Sequence, residues 1–126
     1  TAFVWNQNDE TRAWSERFHE RHGAMPTMVH AGVYSAVTHY LEAVKETGTD
    51  DSDTVRAKLG EMTLNDMFVK GGKIAPNGSM LHDMYLVEVK KPSESNSEWD
   101  LLNVISKIPA DQAYISMADT KCSLVN

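Results

Sequence analysis

The segment from position 26 to position 44 has the hydrophobic period of an α-helix. Its apolar residues recur at spacings of four, four and three: Val33, Val37, Leu41 and Val44. This spacing puts them on one helical face, and a periodic apolar face is usually buried in a core. An extended lead over residues 26–29, fixed by Pro26, precedes the helix, and Gly48 ends it. The pattern predicts a long helix that is buried along this face.

Two more helices are predicted, one on each side of this segment. The first covers residues 10–22 and has Asn8 or Asp9 as its N-cap. Its predicted inner side carries Ala13, Trp14, Phe18 and Arg21. The third helix begins with Ser52 or Asp53 as its N-cap.

The second half of the chain predicts strands and turns. Residues 80–90 have the alternation of a strand and are apolar enough to be buried on much of both faces. Residues 99–107 form a second strand that pairs back on the first as a hairpin. Gly71-Gly72 predicts a break, and Asn77-Gly78 predicts a tight turn. Shorter elements are also predicted: strands over residues 2–5 and 68–69 and a helical turn over residues 110–114.

Length and charge restrict the class of protein. With 126 residues, 41% of them hydrophobic, the chain holds at most one globular domain. The net charge of −6 argues against a nucleic-acid binder, which would need a basic surface. No apolar run approaches the ~18 residues of a membrane span. The sequence opens at Thr1, directly before the strand predicted over residues 2–5, which suggests a piece of a longer protein. Its single cysteine, Cys122, cannot form an internal disulfide.

No arrangement of side chains in the sequence specifies catalysis. His19 and His22 are three residues apart, whereas a helical zinc motif needs a pair four apart. The acidic run that begins at Asp50 lacks the glycine that a calcium loop needs at its sixth position. Asp83 and Asp100 are single carboxylates on predicted strands, and each fits a buried, paired acid. The sequence therefore predicts no enzyme, no cofactor and no metal site.

Two interpretations apply to the start of the long helix, where His30, Ala31 and Gly32 are predicted to join extended chain to helix. In the first, the small residues let a buried helix pack closely on a sheet. In the second, residues 30–34 form one wall of a ligand cleft, because the free N–H groups at a helix start attract anions.

The order of segments resembles a known family. An aromatic strand, FVWN, and the helix DETRAWSERFHERHG are followed by PTMVHAGVYSAVTHYLEAV, a DDSDTVRAKL helix and GGKIAPNGSMLHDMYLVEVKKP. The series is similar to the C-terminal third of a periplasmic substrate-binding protein of an ABC transporter, with the type I fold of the leucine/isoleucine/valine-binding class. The variants WNxxDETRxW and HDMYL look closer to members that take aromatic carboxylates.

The resemblance implies an α/β fragment of a two-lobed protein, about three helices followed by a β-hairpin-rich C-terminal part. Residues 1–27 and about 78–126 would belong to the C-terminal lobe, and residues 28–77 to the N-terminal lobe. The family's cleft residue precedes the A-x-x-Y motif, so the implied ligand-binding residues are Val29, His30, Ala31 and Tyr34. This chain has Val-His where the family often has an aromatic residue.

The function implied by the resemblance is capture of a small carboxylate, a branched-chain amino acid or an aromatic acid, in the periplasm and its delivery to an ABC permease. The alternative is a ligand-sensing domain of the same fold in a signalling protein. Because the sheets of both lobes would lack most of their strands, the isolated chain is also expected to self-associate.

Overall fold

Helices occupy the first half of the chain and strands the second. The computed structural model describes residues 1–123 and 125. The helices are α1 (Asp9–His22), α2 (Met28–Thr47), α3 (Ser52–Glu61) and the single turn α4 (Ala110–Ala113). The strands are β1 (Leu64–Asn65), β2 (Lys70–Ile74), β3 (Met80–Leu81), β4 (Met84–Val89) and β5 (Leu102–Ile108), with a 3₁₀ turn at Pro92–Glu94. The order confirms the predicted α/β class.

Side-chain caps determine where the helices begin. Asn8 caps α1, since its Oδ1 accepts the Thr11 N–H at 3.0 Å, and this agrees with the sequence. Thr27 caps α2, so the helix begins at Met28. The expectation of extended chain up to residue 29 was therefore wrong: Val29 and His30 lie in the first turn of α2. In α3 the cap is Asp51, one residue before Ser52, the earlier of the two predicted caps.

The two glycines predicted to break the chain lie inside β2. This strand pairs antiparallel with β1, where Leu64 faces Gly72, and with β3, where Ile74 faces Met80. Gly71, with φ 72°, falls at the register shift between β1 and β2, so it acts as the extra residue of a bulge rather than as a break. The turn at Asn77-Gly78 that joins β2 to β3 is confirmed, with the Gly78 N–H donating to the Ala75 carbonyl at 2.8 Å.

The long strand predicted over residues 80–90 is divided. It is interrupted at His82 and Asp83, where the chain leaves the β1–β2–β3 sheet for the separate β4–β5 pair. The predicted hairpin is confirmed, because β4 and β5 pair antiparallel from Met84↔Ile108 to Val89↔Leu102, although the second strand begins at Leu102 rather than at residue 99. Burial on both faces was wrong, since every side chain of β4 is half-buried or exposed.

Two short predicted strands do not form. Residues 2–5 are not assigned as a strand, although Thr1 exchanges two backbone hydrogen bonds with Tyr85, at 2.9 and 2.8 Å. Residues 68–69 belong to a turn instead, because the Asp66 carboxylate accepts the N–H groups of Phe68 and Val69 at 2.8 and 2.9 Å. The predicted helical turn near residue 110 is confirmed as α4.

The hydrophobic core joins the N-terminal segment to the first two helices. Phe3, Trp14 and Ala31 form one buried cluster, in which the rings of Phe3 and Trp14 meet edge to face at 5.9 Å. Partly buried aromatic and sulfur side chains pack around it: Trp5, Phe18, Met67 and Phe68. On α1, Trp14 is inside as predicted, whereas Ala13 and Arg21 are exposed.

The apolar face of α2 is uncovered. Val33, Val37 and Leu41 are 60%, 51% and 57% exposed, so the prediction of a buried stripe was wrong for these residues. The buried side of α2 instead carries small and polar residues: Ala31, Ser35, His39 and Ala43. This small and polar side of α2 packs against the rest of the described chain. The apolar stripe lies on the other side, and no described element covers it. The division of the chain between two lobes stays a prediction, and residues 124 and 126 of its C-terminal portion lie outside the described residues.

Replacing Gly72 by alanine is predicted to destabilise the fold. A Cβ at this position would lie 2.5 Å from Val69 Cγ2 and 3.4 Å from Leu64 Cβ, which requires a shift in the core. We expect a loss of about 1–3 kcal/mol in the free energy of unfolding, the usual cost of overpacking. The midpoint of urea unfolding in the full-length protein measures it. Gly60→Ala in α3, where nothing lies within 4 Å, is the control and should not lower the midpoint. Equal midpoints for both variants would contradict the prediction.

The isolated 126-residue chain is predicted to self-associate in solution. Its exposed α2 stripe presents apolar surface, and in the described part of the chain the outer edge of β5 has no neighbouring strand and presents free backbone groups. Light scattering at several concentrations should show dimers or larger species. Val37→Lys, in the centre of the stripe, should shift the population toward the monomer, and Ala57→Lys on α3 is the matched exposed control. A monodisperse species of 14.1 kDa with a cooperative melt would contradict the prediction.

Candidate functional site

A groove between α1 and α2 brings together aromatic and cationic side chains. It encloses ≈ 260 Å³ and is lined by Trp14, Arg17, Phe18, Arg21 and Tyr34. The Trp14 ring lies 5.3 Å from the Tyr34 ring and 5.6 Å from the Phe18 ring. These contacts arise because residues 14, 17, 18 and 21 share one face of α1, and that face meets the start of α2.

The structure separates the four residues that the resemblance implied. His30 and Tyr34 both border the groove region, since the His30 ring packs against Phe18 at 5.0 Å and Tyr34 lines the groove itself. Val29 is 64% exposed in the first turn of α2, beside the groove rather than in its lining. Ala31 is fully buried in the core, so it supports the wall from behind.

The His30 ring takes part in the capping box of α2. Its Nδ1 accepts the Thr27 N–H at 3.1 Å, while Thr27 in turn caps the helix. A backbone N–H can only donate, so Nδ1 carries a lone pair and the ring proton sits on Nε2. His30 therefore carries its N–H donor on Nε2, and its ring packs against Phe18 and near His22, whose ring is 5.9 Å away.

The positive charge of the groove comes from α1. Arg17 and Arg21 are both exposed, and in the described part of the chain neither guanidinium has an ion-pair or hydrogen-bond partner. A second groove of ≈ 570 Å³ continues from the first along Trp14, Arg17 and Tyr34. At its far end Lys70 is paired with Glu10 at 2.6 Å, so the charge there is balanced.

A buried polar cluster lies behind the groove and was missed by sequence reasoning. His39 is 2% exposed, and its Nδ1–H donates to the Ser35 carbonyl at 2.9 Å. The Asp66 carboxylate is 3.8 Å from the same nitrogen while it also fixes the turn before β2. The signal was present as a Ser-x-x-x-His spacing, which places both residues on one face of α2. The cluster connects α2 to the turn that carries Phe68 into the core.

Asp83 and Asp100 each form a structural ion pair with a lysine. The Lys90 ammonium contacts Asp100 at 2.7 Å, and this hydrogen bond, with others from Asn96, lowers the pKa of Asp100 to about 2. Lys107 contacts Asp83 at 2.7 Å and lowers the pKa of that carboxyl. Each carboxylate has its own lysine and lies on the β4–β5 side of the chain, so neither contributes an acid or a base to the groove.

Other kinds of site find little support in residues 1–123 and 125. No group of three or more His, Cys, Asp or Glu side chains in this part is arranged to hold a metal ion. None of the helices described is both long and apolar enough to cross a membrane.

The family assignment comes from comparison of the sequence. Residues 1–96 match the model of the periplasmic binding protein family, the leucine/isoleucine/valine-binding-like class with the type I fold. The chain therefore belongs to this family, as the order of its segments predicted. No curated protein matches the chain.

Solved structures agree with the assignment. A periplasmic binding protein from Burkholderia mallei is 44% identical, with a TM-score of 0.94 over 98% of this chain and 32% of its own length. A branched chain amino acid ABC transporter periplasmic ligand-binding protein from Burkholderia xenovorans is 37% identical, with a TM-score of 0.95 over 100% of this chain and 34% of its own. A Rhodopseudomonas palustris transporter protein at 19% identity, TM-score 0.72, shares the fold. The chain thus spans about a third of these relatives.

The Asp100–Lys90 pair is predicted to make stability depend on acidic pH. The pKa of Asp100 is lowered from 3.8 to about 2 in the folded chain, so its contribution is complete above pH 3.8 and is lost as the pH falls toward 2. Asp100→Asn should flatten the stability profile in that window, as measured by urea unfolding of the full-length protein. Lys90→Gln should flatten it too, and Lys91→Gln, an exposed neighbour, serves as control. An unchanged slope in Asp100→Asn would contradict the prediction.

Proposed function

We propose that the full-length protein is the extracytoplasmic solute-binding subunit of an ABC importer. It captures a small carboxylate, a branched-chain amino acid or an aromatic acid, in the periplasm and delivers it to the membrane permease. The protein acts by binding and release and is not an enzyme. Its membership of the periplasmic binding protein family supports this function, because the family consists of binding and transport proteins.

The observation that carries the carboxylate proposal is the placement of His30. The ring is held by the helix cap through Nδ1, which leaves the proton on Nε2, and it packs against Phe18, which lines an aromatic groove that contains two arginines. An N–H donor and nearby cations are the groups that stabilise a carboxylate. The N-terminal end of α2 adds backbone N–H groups and the positive end of the helix dipole in the same region.

The roles of the four candidate residues follow from their positions. His30 donates to the carboxylate, and Tyr34 offers an aromatic face at the groove. Val29 contacts the apolar part of the solute from the first turn of α2. Ala31 keeps the helix close to Trp14 and has no direct contact with the solute, because it is fully buried.

A substitution of His30 tests the proposal. His30→Ala should weaken binding of the carboxylate by at least ~1 kcal/mol, the scale of one lost hydrogen bond to a charged group. Isothermal titration calorimetry of the full-length protein with leucine and with benzoate measures the change. His19→Ala is the matched control, since that ring lies on α1 against Trp99 and outside the groove. Unchanged affinity in His30→Ala for both compounds would remove His30 from the site.

Stimulation of an importer's ATPase activity distinguishes a solute-binding subunit from a sensor domain of the same fold. Purified full-length protein should stimulate ligand-dependent ATP hydrolysis by its importer in proteoliposomes. A full-length chain that binds the carboxylate and instead carries an output domain would favour the signalling alternative.

A further inference from the structure

The sequence contains one Asn-Gly step, and it lies in the turn between β2 and β3. Pro76 opens this turn, and Gly78 follows Asn77 with a left-handed φ of 84°. Asn77 is half-buried and Gly78 is exposed, and a Cβ built on Gly78 would meet nothing within 4 Å. The side-chain amide of Asn77 and the backbone nitrogen of Gly78 are thus neighbours in an open part of the molecule, away from the groove of α1 and α2.

The Asn77 side chain is held over the backbone of the turn. Its Oδ1 accepts the Ser79 N–H at 3.1 Å, so the side chain folds back along the chain past Gly78. This bond keeps the Asn77 Cγ beside the Gly78 nitrogen, which lies between the two bonded groups in the sequence. The Ser79 N–H also stabilises the negative charge that develops on Oδ1 when a nucleophile adds to Cγ.

One hydrogen bond opposes an attack by the Gly78 nitrogen. The Gly78 N–H donates to the Ala75 carbonyl at 2.8 Å, so the nitrogen becomes a nucleophile when the turn opens. Opening costs little free energy here, because β3 has two residues and pairs with β2 at two positions, Lys73↔Leu81 and Ile74↔Met80. A local fluctuation of this short hairpin therefore frees the Gly78 nitrogen without unfolding the chain.

We propose that Asn77 is a site of spontaneous deamidation. The Gly78 nitrogen, which has no neighbouring Cβ to obstruct it, attacks Asn77 Cγ and forms a cyclic imide. The bond from Cγ to the side-chain nitrogen breaks, and the departing ammonia gains a proton to balance the one that the Gly78 nitrogen loses. Water then opens the imide at one of its two carbonyls. Opening at the backbone carbonyl gives isoaspartate, opening at Cγ gives aspartate, and water is the one co-reactant.

The two products differ in their effect on the β2–β3 hairpin. Aspartate at position 77 keeps an acceptor for the Ser79 N–H and adds one negative charge near Arg56, whose guanidinium contacts the Pro76 carbonyl at 3.5 Å. Isoaspartate instead inserts a methylene into the main chain. The Ala75 N–H then no longer meets the Ser79 carbonyl, to which it donates at 2.8 Å, and the pairing beyond it loses its register.

Ageing of the full-length protein in mildly alkaline buffer tests the proposal. Peptide mapping by mass spectrometry locates each lost amide, and an isoaspartyl methyltransferase labels the isoaspartate. We expect Asn77 to lose its amide at least about tenfold faster than Asn96, because Ser97 carries a Cβ and the Asn96 amide donates to Asp100 at 3.1 Å. Asn77→Gln should remove the label from the peptide that contains position 77, since a longer side chain closes the ring poorly. Asn96→Gln is the matched control and should leave the rate at Asn77 unchanged.

Hydrogen–deuterium exchange of the aged protein tests the effect on the hairpin. Residues 70–81 should exchange faster in proportion to their isoaspartate content, while the β4–β5 pair in the same sample serves as an internal control. Fresh Asn77→Asp protein should exchange like the fresh wild type, because it carries the charge without the extra methylene.

Two results would overturn the proposal, and both can be told apart from failure of the proposed function. Amide loss at Asn77 that is no faster than at Asn96, or a label that persists in the Asn77→Gln peptide, overturns the deamidation site. Isoaspartate that accumulates without faster exchange over residues 70–81 overturns its effect on the hairpin. Solute binding by fresh protein is a separate measurement, so the proposed function is tested independently of both.

Discussion

The packing of Trp14 against the small side of α2 is the contact on which the rest of the structure depends. Ala31 is fully buried in the same cluster as Trp14 and Phe3, so the N-terminal segment, α1 and α2 meet at one point. A larger side chain at position 31 would separate the helices, because cores pack densely and overpacking is costly. Separation would open the groove, since its floor is Trp14 and its wall is Tyr34.

The chain has more apolar surface than its own elements cover. Its core cluster contains only Phe3, Trp14 and Ala31 as buried members, while the long stripe of α2 is open in the described structure. The relatives provide the physical context, because each is about three times as long as the stretch that matches. The stripe is suited to contact with a further layer of structure, and a helix with two opposite contact sides belongs between layers rather than at a surface.

The sequence predicted the helices and the hairpin well because those elements are specified locally. Asn8, Gly23 and Gly48 cap or end helices through bonds to residues within four positions. Long-range features were not predictable in the same way. Gly71 and Gly72 are turn formers by propensity, but pairing with β1 and β3 draws them into a strand. Of the residues that the resemblance implied, Tyr34 lines the candidate groove and His30 packs beside it, and their role in binding stays a prediction, whereas Arg17 and Phe18 line the groove only through the packing of α1 on α2.

The capping bond between Thr27 and His30 has a consequence for conformational entropy. An exposed imidazole normally samples several rotamers, and fixing it costs free energy at the moment when a contact forms. Here the bond of 3.1 Å to the Thr27 N–H fixes the ring as soon as the first turn of α2 forms. The entropic cost of ordering the His30 ring is therefore incurred when the helix forms. A molecule that accepts a hydrogen bond from Nε2–H meets a donor whose direction is already fixed. Thr27, which makes no contact with that molecule itself, thereby restricts the orientation of the His30 donor.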